Sequence, residues 1–541
     1  MENPSIKIGD GKWAIKEGNL LGYSTLDTDF FPIPIGVERA SAGTRVNAQG
    51  LVETVELLGS EEVTNGDFAT DVSGWTEYTN SVISWDNGTL KTANVTQGYG
   101  KAYQSFSTQS GKTYRLKFDG FVSTALKFQY RLGSSAIAGS DIKIDDFTSS
   151  QSIEILFTAT SSTTYLTFVC QDANTGVYVN IDNVSVKEVT QDNLARVDYT
   201  GSTSSLLAEP QRTNTITESS DFSSGWSYFD SSTTANQLIS PSGVLDASKF
   251  TEGSGSSIKR ITNLSQYIAS GNDYTFSVFA KKGERDFITL TNNTGTADVT
   301  TTFDLTNGTV TSGVGSIESF TNGWFRCSRS FTAAATVISN YIVQAYINNG
   351  SGISYQGDGT SGIYMWGAQL EQDSFPTSYI PTDGSTVTRV QDQFSRDGIS
   401  SLINSEEGVL FVEMAAFENP VVSPLNITIS DGTASNYIRI ELYQDGKVYG
   451  NIYNGSSVAQ NFSVTQTDFN KVAIQYSSGG SKLFVNGVGV DFAAKNFSAN
   501  TLNSIQFTAG DGTSSPFFGK VKQLQVYKTA LTDTQLAALT S

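Results

Sequence analysis

An internal duplication limits the folds open to this chain more than any other feature. The segment 62-EVTNGDFATDVSGWTEY-78 reappears as 214-NTITESSDFSSGWSYF-229, with an Asp-Phe pair and a Ser-Gly-Trp triplet in the same order. Each copy ends on a related strand, 178-YVNIDNVSV-186 in the first and 364-YMWGAQLEQ-372 in the second. Because both the first and the last segments of each copy carry shared residues, the repeat is a whole domain whose termini meet, as in a closed sandwich.

Within each copy the apolar residues follow the period of a β-strand. Large apolar side chains recur at every second position in 112–122 and again in 272–282. A period of two places such side chains on one face of a strand, toward a core. They are Tyr114, Leu116 and Phe118 in the first copy and Tyr274, Phe276 and Val278 in the second. We therefore predict two jelly-roll sandwiches, jelly roll 1 at 61–190 and jelly roll 2 at 214–381.

The composition favours short strands joined by turns. Aromatic residues make up 11% of the chain, which has 50 Gly and only 10 Pro, and such chains typically form strands linked by many turns. With 541 residues and roughly 100–200 residues per domain, several separate cores are expected. These properties predict an all-β, multi-domain protein.

Charge and hydropathy argue against nucleic acid and membranes as partners. The chain carries 53 acidic and 34 basic residues, a formal charge of -19. It has no run of Lys or Arg that could neutralise a line of phosphates. No apolar run reaches the roughly 18 residues of a membrane span, and the first residues lack the pattern of a secretory signal. We expect neither nucleic acid nor a membrane as a partner.

The residues that the two copies share also carry a resemblance to known jelly rolls. The string 65-NGDF-68, followed by 73-SGW-75 and closed by 178-YVNIDNVSVKEV-189, resembles carbohydrate-binding-module-like and galactose-binding-like domains. Domains of this kind occur in glycan-binding proteins and in phage fibres. The resemblance implies the fold only, because one fold can carry many different binding sites. The ligand depends on the particular side chains at the surface.

Three further segments resemble a family of tailed-phage virion proteins that includes tail-fibre and head-fibre components. They are 39-RASAGTRVNAQGLVETV-55, 195-ARVDYTGSTSSLLAEPQRTN-214 and 376-PTSYIPTDGSTVTRV-390. The first two form one connector that jelly roll 1 interrupts as an insertion. The resemblance covers about 1–60 and 191–398. Its Pro, Gly and β-branched residues favour an extended connector between rigid domains.

The residues outside the sandwiches are assigned from the same resemblance. The predicted segments are an N-terminal virion-anchoring segment and connector at 1–60, a connector at 191–213 and a linker at 382–398. Trp13, Phe30 and Phe31 lie in a stretch too short for a core of its own. We expect them to anchor the protein by docking on the virion or on a neighbouring subunit. The alternative is an N-terminus that is disordered or that folds back on its own chain.

From residue 399 the pattern changes to long hairpins followed by one short helix. The dipeptides 445-DG-446 and 486-NG-487 stand between alternating runs, where they predict two-residue hairpin turns. Thr532 and Gln535 have the spacing of a capping box, which predicts the start of the final helix.

The same region strongly resembles concanavalin-like, laminin-G-like sandwiches. The resemblance lies in the strings 482-KLFVNG-487 and 518-FGKVKQLQVYKTALTDTQLAAL-539, and it implies a third β-sandwich at 399–541. The predicted architecture is therefore all-β, with two jelly-roll β-sandwiches, a C-terminal concanavalin-like sandwich and an extended N-terminal anchoring segment.

The absence of histidine restricts the chemistry. A triad with an imidazole base and a zinc site built on histidine are both excluded. An enzyme would need a pair of carboxylates facing one sugar, as in a glycosidase. The adjacent pairs 145-DD-146 and 406-EE-407 would point to opposite faces of a strand. We predict that the protein is not an enzyme.

Exposed aromatic rings are the natural platform for a sugar, because the apolar face of a pyranose stacks on the ring while polar neighbours bond its hydroxyls. The candidates for glycan binding in jelly roll 1 are Trp85, Tyr99, Tyr103, Tyr130 and Arg131. Trp75, Trp226 and Trp324 fall in apolar or recurrent positions and are predicted to be core residues.

The jelly-roll resemblance implies a structural Ca²⁺ between the first and last strands. Asp67 and Asp182 would supply carboxylate oxygens in the first copy. The second copy has Ala368 at the position aligned with Asp182, so a metal is predicted in jelly roll 1 only. The alternative is that Asp67 caps a turn and Asp182 accepts backbone hydrogen bonds. No other cofactor is required.

These features together predict a structural virion protein of a tailed bacteriophage: a head fibre, capsid decoration or tail fibre with weak, multivalent adhesion to host or environmental glycans. The expected partners are major capsid or tail proteins, further copies of the chain in a dimer or trimer, and surface glycans. The expected location is the virion surface, after synthesis in the host cytoplasm. The alternatives are a decoration without ligand, a tailspike-like glycosidase that degrades polysaccharide, and a bacterial surface adhesin.

Overall fold

A computed structural model describes most of the chain. The described residues are 3–16, 18–23, 30–96, 98–136, 140–200, 203–264, 266–292, 299–339, 342–421 and 423–541. Within them nearly all regular structure is β-strand, which confirms the all-β prediction. The helical elements are the α-helix Asp533–Thr540 and the single 3₁₀ turns Thr321–Gly323 and Ser400–Leu402. None of the helices in this part is long and apolar enough to cross a bilayer.

The chain divides into two compact units. The smaller unit is Glu56–Gln191, and the larger unit combines Met1–Val55 with Asp192–Ser541. The smaller unit matches the insertion expected between the first two connector segments. The larger unit contains jelly roll 2 and the C-terminal sandwich.

The smaller unit, jelly roll 1, is a sandwich of two antiparallel sheets. Its six-stranded sheet contains Gln151–Thr158, Thr113–Val122, Tyr178–Thr190, Leu90–Asn94 and Ser81–Trp85, with Leu57–Glu61 also paired to Tyr178–Thr190. Its five-stranded sheet contains Lys143–Phe147, Phe128–Gly133, Thr163–Cys170, Gly100–Ser107 and Thr76–Glu77. The two sheets enclose one core, in which the predicted residues Trp75, Tyr114, Leu116 and Phe118 are buried.

Jelly roll 2 repeats this arrangement around a core of its own. One sheet contains Trp226–Phe229, Arg260–Asn263, Val343–Asn348, Phe287–Asn292, Val299–Asp304 and Thr309–Ser312. The facing sheet contains Ser231–Ile239, Leu245–Glu252, Gly362–Gln372, Asp273–Lys282, Phe325–Thr332 and Ser316–Ser319. Short ladders join Ser256–Ile258 to Ser354–Gln356 and Gln266–Ile268 to Val337–Ser339. The predicted core residues Trp226, Tyr274, Phe276 and Val278 lie in this core, and Trp324 is buried in a small aromatic cluster beside it.

The two jelly rolls share a register shift that identifies equivalent residues. In jelly roll 1 the strand Thr113–Val122 pairs with the closing strand Tyr178–Thr190, and in jelly roll 2 Asp273–Lys282 pairs with Gly362–Gln372. One bulge interrupts the pairing in each copy. The shift falls between Lys117 and Asp119 in the first copy and between Ser277 and Phe279 in the second. The duplication is therefore present in the strand pairing as well as in the sequence.

This register corrects the alignment of the two closing strands by two residues. Asp182 pairs with Asp119, and the equivalent pair in jelly roll 2 is Trp366 with Phe279. Asp182 therefore corresponds to Trp366, and the predicted equivalence with Ala368 is wrong. A shift of two residues leaves every side chain on the same face of a strand, so the alternating pattern could not reveal it.

The C-terminal sandwich recruits strands from both ends of the larger unit. Its eight-stranded sheet contains Val197–Thr200, Thr203–Ala208, Gly519–Tyr527, Gly408–Ala416, Asn470–Tyr476, Ser481–Val485 and Val488–Phe492, with Ile6–Gly9 paired to Gly519–Tyr527. Its nine-stranded sheet contains Ile15–Lys16, Asn19–Tyr23, Phe30–Glu38, Gln393–Arg396, Ser504–Gln506, Leu425–Ser430, Asn436–Tyr443, Lys447–Asn454 and Ser457–Ser463. The predicted third domain at 399–541 is thus completed by residues that precede it by hundreds of positions.

The N-terminal residues belong to this sandwich, which corrects the prediction of a separate anchoring segment. Ile6, Ile8 and Leu20 lie in the sandwich core. Trp13 packs against the same core, and its indole N–H donates to Ser204 Oγ at 2.8 Å. Trp13 is thus partly buried by its own chain, and its docking on a virion stays a prediction. The alternative that the N-terminus folds back on its own chain is confirmed for this residue.

The other two predicted anchors are only partly placed. Phe30 and Phe31 begin the strand Phe30–Glu38, which pairs with Gln393–Arg396. The side chains of Phe30 and Phe31 lie outside the described residues. Their docking stays a prediction.

One of the two predicted hairpin turns is confirmed. Asn486 and Gly487 connect paired residues Val485 and Val488 with positive φ angles of 49° and 83°, as a two-residue turn of this hand requires. By contrast, residues 444–446 form a three-residue loop, with the glycine at φ 76°. A glycine in the left-handed region also suits the last position of a three-residue loop, so the dipeptide did not determine the loop length.

The predicted capping box at the start of the last helix is also confirmed. The Thr532 side chain accepts from the Gln535 N–H at 3.3 Å, and the Gln535 side chain accepts from the Thr532 N–H at 2.8 Å.

The connector segments form a buried ion network in the larger unit. Arg39 Nη1 lies 2.7 Å from Asp392 Oδ1, and Arg196 bonds both Asp392 and Glu209, the latter at 2.7 Å. Arg389 Nη1 lies 2.9 Å from the same Glu209 oxygen. Burial alone would raise the pKa of Glu209, but Arg389 and Arg196 lower it well below its usual value. Both predicted connectors, at 191–213 and 382–398, therefore contribute buried side chains to the larger unit, although residues 383–388 are exposed.

Both cysteines are buried and free, as the apolar runs around Cys170 and Cys327 predict. Burial raises the pKa of Cys170 to about 12 and also raises that of Cys327. We therefore expect neither thiol to react with Ellman's reagent in the native protein at neutral pH, and both to react in concentrated urea. Rapid colour release from the native protein would contradict this prediction.

Candidate functional site

The outer face of the five-stranded sheet brings together two of the predicted glycan-binding residues. Arg131, Thr167 and Tyr103 are register partners on three adjacent strands. Because neighbouring strands lie about 4.8 Å apart, the backbones of Arg131 and Tyr103 are about 10 Å apart. The adjacent residues Leu132 and Ala102 point into the core, which places Arg131 and Tyr103 on the outer face.

A second tyrosine extends this surface. Tyr165 lies on the same face as Thr167, and its ring centroid is 6.4 Å from that of Tyr103. The register partner of Tyr165 is Ser105, which is exposed. Two half-buried rings beside a hydroxyl can cover one face of a sugar and bond its edge. We call this surface the Tyr103 face, formed by Lys101, Tyr103, Ser105, Arg131 and Tyr165.

Lys101 makes the Tyr103 face basic. Its ammonium lies 5.3 Å from the centre of the Tyr78 ring, and it forms no ion pair with any carboxylate in the described part of the chain. Burial lowers the pKa of Lys101, and the nearby guanidinium of Arg131 lowers it further. A half-buried ammonium without a counterion favours an anion beside it.

Two of the predicted aromatic residues are exposed but lie elsewhere. Trp85 is 46% exposed and ends a strand of the six-stranded sheet, where its indole N–H donates to the Phe68 carbonyl at 2.7 Å. Tyr99 is 45% exposed and lies in the loop before Gly100–Ser107. The structure therefore does not bring Trp85 onto the face that carries Arg131.

The prediction that Tyr130 binds a glycan is wrong. Its side chain is 1% exposed and packs in the core of jelly roll 1, with its ring 5.3 Å from that of Phe118. Tyr130 and Arg131 are consecutive in one strand, so they point to opposite faces of the sheet. The alternation of Phe128, Tyr130 and Leu132 with polar residues in this strand indicates that Tyr130 faces the core.

Lys101 and Tyr165 belong to the site although neither was predicted from the sequence. Their side chains point outward from the strands Gly100–Ser107 and Thr163–Cys170, whose residues Ala102 and Phe168 are buried on the other side. The alternation that predicts strands could have identified both residues once one buried position on each strand was known. Their proximity to Arg131 required the strand order.

The predicted calcium ligands lie close to a third carboxylate. Burial raises the pKa of Asp182, and the carboxylates of Asp119 and Asp67 raise it further. Asn183 donates from its backbone N–H to Asp182 at 2.7 Å and from its amide to Asp119 at 2.8 Å. No group of three or more acidic, cysteine or histidine side chains among the described residues is arranged to hold a metal. These residues do not form a fitted Ca²⁺ site, and calcium stays a prediction.

The corresponding face of jelly roll 2 offers less access. The adjacent residues Ile261 and Ala345 face the core, so Thr262, Gln344 and Tyr346 point to the outer side of the sheet. All three of these outward side chains are nevertheless buried. A sugar could not stack on a ring that its own domain covers. The centre of this face in jelly roll 2 is therefore closed to a sugar, while at its edge Phe229 is 48% exposed and its ring centre lies 5.6 Å from the Arg260 guanidinium.

One family model matches part of the chain. Residues 415–537 match the concanavalin A-like lectin/glucanases superfamily, which confirms the predicted concanavalin-like sandwich. No curated protein sequence matches the chain.

Several solved structures have a partial likeness to this chain, and two of them are carbohydrate-binding modules. The carbohydrate-binding module CBM40 of the Ruminococcus gnavus IT-sialidase, bound to α2,3-sialyllactose, is 19% identical and covers 25% of this chain and 83% of its own, with a TM-score of 0.22. The tandem CBM22 domains of Paenibacillus barcinonensis Xyn10C are 12% identical and cover 59% of this chain and 98% of their own, with a TM-score of 0.23. At these values neither likeness bears on what this chain binds.

Proposed function

We propose that this protein binds glycans through the Tyr103 face and that the bound sugar carries a carboxylate. The observation that supports this most is the unpaired ammonium of Lys101 beside the Arg131 guanidinium, on a face that also presents the Tyr103 and Tyr165 rings. The rings offer apolar planes to a pyranose, while the two cations bond a carboxylate. Glycan binding also accords with the match of residues 415–537 to the concanavalin A-like lectin/glucanases superfamily.

The affinity of one such site is expected to be weak. The Tyr103 face is a shallow surface of five side chains, whereas tight ligand sites enclose most of their ligand. Many copies on one particle would act at high effective concentration and raise the avidity by about 10²–10⁴. A virion protein can therefore adhere to a glycan layer without a deep pocket.

Replacing Tyr103 with alanine is expected to weaken binding of digalacturonic acid at least about tenfold, because a lost contact worth roughly 1.4 kcal/mol changes affinity by that factor. Isothermal titration of the full chain measures the effect. Tyr99→Ala is the matched control, since Tyr99 is exposed outside the Tyr103 face. The methyl ester of the disaccharide, which keeps the rings and loses the charge, should bind more weakly than the acid. Equal affinities of the two variants would contradict the proposal.

Binding should also depend on pH through Lys101. Its pKa is lowered from 10.5, and a carboxylate binds the protonated ammonium. Affinity should therefore be constant in neutral solution and fall as the pH rises through this lowered pKa. Lys101→Met should bind more weakly at neutral pH and lose this part of the pH dependence. A Lys101→Met profile identical to the parent's would show that the ammonium does not contact the ligand.

We propose the virion role from the connector segments alone. The chain would be a head fibre, capsid decoration or tail fibre at the virion surface, in contact with capsid or tail proteins and assembled as a dimer or trimer. Immunogold labelling of intact particles tests the location and separates head from tail. Absence of the protein from purified particles would contradict it and favour the bacterial adhesin.

The protein is proposed to act without catalysis. Asp145 and Asp146 are exposed on an edge strand of jelly roll 1, and the strand sends consecutive side chains to opposite faces. Incubation with acidic and neutral polysaccharides should release no reducing ends. Release would favour the glycosidase, whereas absence of both release and glycan binding would favour a purely structural decoration.

A further inference from the structure

A cavity of the larger unit is lined mostly by apolar side chains. It lies where the residues after the closing strand Gly362–Gln372 of jelly roll 2 approach those after the strand Gly408–Ala416 of the C-terminal sandwich. Its volume is about 230 Å³, far above the roughly 10–15 Å³ that one water molecule needs, so it can admit a larger group. We call it the Phe417 cavity, and its apolar residues are Pro210, Phe375, Phe417, Pro420, Leu425 and Phe518.

Two phenylalanine rings and one arginine form a wall of this cavity. The Phe375 and Phe417 rings stack with centroids 5.4 Å apart and an angle of 17°. The Arg212 guanidinium lies 5.2 Å from the centre of the Phe375 ring, and it forms an ion pair with Asp373. The arginine that lines the cavity therefore already has a carboxylate partner.

The carboxylate of Glu418, which also lines the cavity, has no such partner. Glu418 is half-buried and forms no ion pair with a lysine or arginine in the part of the chain that the structure describes. Its Oε2 accepts from the Ser374 hydroxyl, whereas its Oε1 accepts no hydrogen bond from any described residue. Burial raises the pKa of Glu418 and Asp373 raises it further, although the Ser374 hydroxyl and Arg212 oppose the shift. A cation beside Glu418 would stabilise its charged form.

The cavity carries an excess of negative charge. Its lining includes two carboxylates, Asp373 and Glu418, and one cation, Arg212. A third carboxylate, Asp273, is close enough to raise the pKa of Glu418 as well. The chain as a whole has a formal charge of -19. Complementary charge therefore favours a basic ligand at this position.

The free oxygen of Glu418 suits an ammonium better than a guanidinium. A guanidinium bonds a carboxylate most strongly through two parallel N–H groups, which requires both oxygens. Ser374 already bonds one of the Glu418 oxygens, so this paired arrangement is not open to a ligand. An ammonium is a compact charge on a flexible hydrocarbon stem, and such stems lie along apolar surface while the charge stays at its edge. The apolar walls and the single free oxygen thus match a lysine side chain.

We propose that the Phe417 cavity receives a lysine side chain of a partner protein, with its stem against Phe417, Pro420 and Phe518 and its ammonium paired with Glu418. The stem displaces water from the apolar walls, and the ammonium supplies the charge that Glu418 lacks. The phenylalanine rings add a cation–π attraction. This inference goes beyond glycan binding, because its ligand is a basic protein segment and its site lies in the larger unit.

Isothermal titration of the full chain with the peptide acetyl-Gly-Lys-Gly-amide at low ionic strength tests the proposal. The peptide is expected to bind with a dissociation constant on the order of 1 mM, and the same peptide with norleucine, which keeps the stem and loses the ammonium, at least about tenfold more weakly. The peptide with arginine should also bind more weakly than the lysine peptide. Glu418→Gln should weaken binding of the lysine peptide at least about tenfold. The matched control is Glu406→Gln, which removes an exposed carboxylate outside the cavity and should leave binding unchanged.

The outcomes separate this proposal from the function proposed for jelly roll 1. Tyr103→Ala should leave lysine-peptide binding unchanged, and Glu418→Gln should leave digalacturonate binding unchanged. Glu418→Asp, which keeps the charge and withdraws it by one methylene group, should also weaken lysine-peptide binding and provides a second variant should Glu418→Gln perturb the fold. Absence of lysine-peptide binding, equal binding of the norleucine peptide, or unchanged binding by the folded Glu418 variants would overturn the inference whatever the result with digalacturonate. Equal binding of the arginine peptide would overturn the assignment to lysine.

Discussion

Replacing Arg196 with methionine is expected to destabilise the larger unit by about 3–5 kcal/mol, the range for removing one partner of a buried ion pair. The Arg196 side chain is 0% exposed and bonds both Asp392 and Glu209. Its removal leaves two buried carboxylates with a single arginine each, Arg39 and Arg389. Methionine keeps much of the volume, so the loss comes from the broken charge-assisted hydrogen bonds to Asp392 and Glu209 and not from a cavity. Urea unfolding followed by tryptophan fluorescence measures the change.

The matched control is Lys447→Met in the C-terminal sandwich. Lys447 pairs with Asp445 at 3.4 Å, and the two side chains are more than a third exposed. Exposed pairs contribute about 0–1 kcal/mol because water and salt screen them. Similar stabilities of the two variants would contradict the view that the connector network holds the larger unit together.

Deleting residues 56–191 and joining the ends with a short Gly-Ser linker is expected to leave the larger unit folded. Both ends of the deletion are tied to one short segment: the Val55 N–H donates to the Gly43 carbonyl at 3.0 Å, and the Asn193 N–H donates to the Arg39 carbonyl at 2.8 Å. Four residues of chain span at most about 14 Å, so a short linker can join the ends. The core of jelly roll 1 contains no residue from outside the deletion, so the remaining cores lose no member.

Circular dichroism and urea unfolding of the deleted chain test this expectation. Its unfolding midpoint should match that of the larger unit in the full chain. The deletion changes neither the cores of jelly roll 2 and the C-terminal sandwich nor the buried ion network. Digalacturonate binding should be lost completely, because the whole Tyr103 face is removed. A deleted chain that fails to fold would show that the larger unit depends on the insertion.

The separation of the two units has a local physical reason in the duplicated strands. At the equivalent bulge positions jelly roll 1 has Asp119 and Asp182, whereas jelly roll 2 has Phe279 and Trp366. The two aromatics of jelly roll 2 pack in a cluster with Val52 from the first connector segment. Carboxylates cannot be buried in this way without counter-charges. One copy is therefore joined to the connector through an apolar face, and the other forms a unit of its own.

The N-terminus shows why sequence reasoning misplaced some residues. Trp13 lies in a stretch with too few apolar residues for its own core, which suggested a docking role on another protein. The structure instead places it against the C-terminal sandwich and bonds it to Ser204, 191 positions away. No local pattern carries information about a strand contributed from the opposite end of the chain.

The sequence by itself determined the class of fold, the duplication, the third sandwich, the buried tryptophans and the terminal helix cap, because each follows from local periodicity, repeated residues or short-range hydrogen bonding. Only the tertiary structure decided which strands are neighbours and in which register, and so it placed Tyr103 and Arg131 on a common surface with Lys101. It also turned the connector arginines into an interior ion network, which depends on carboxylates distant in sequence. The physical reason is that strand order and register join residues from far along the chain, whereas alternation within one strand specifies only that two faces exist.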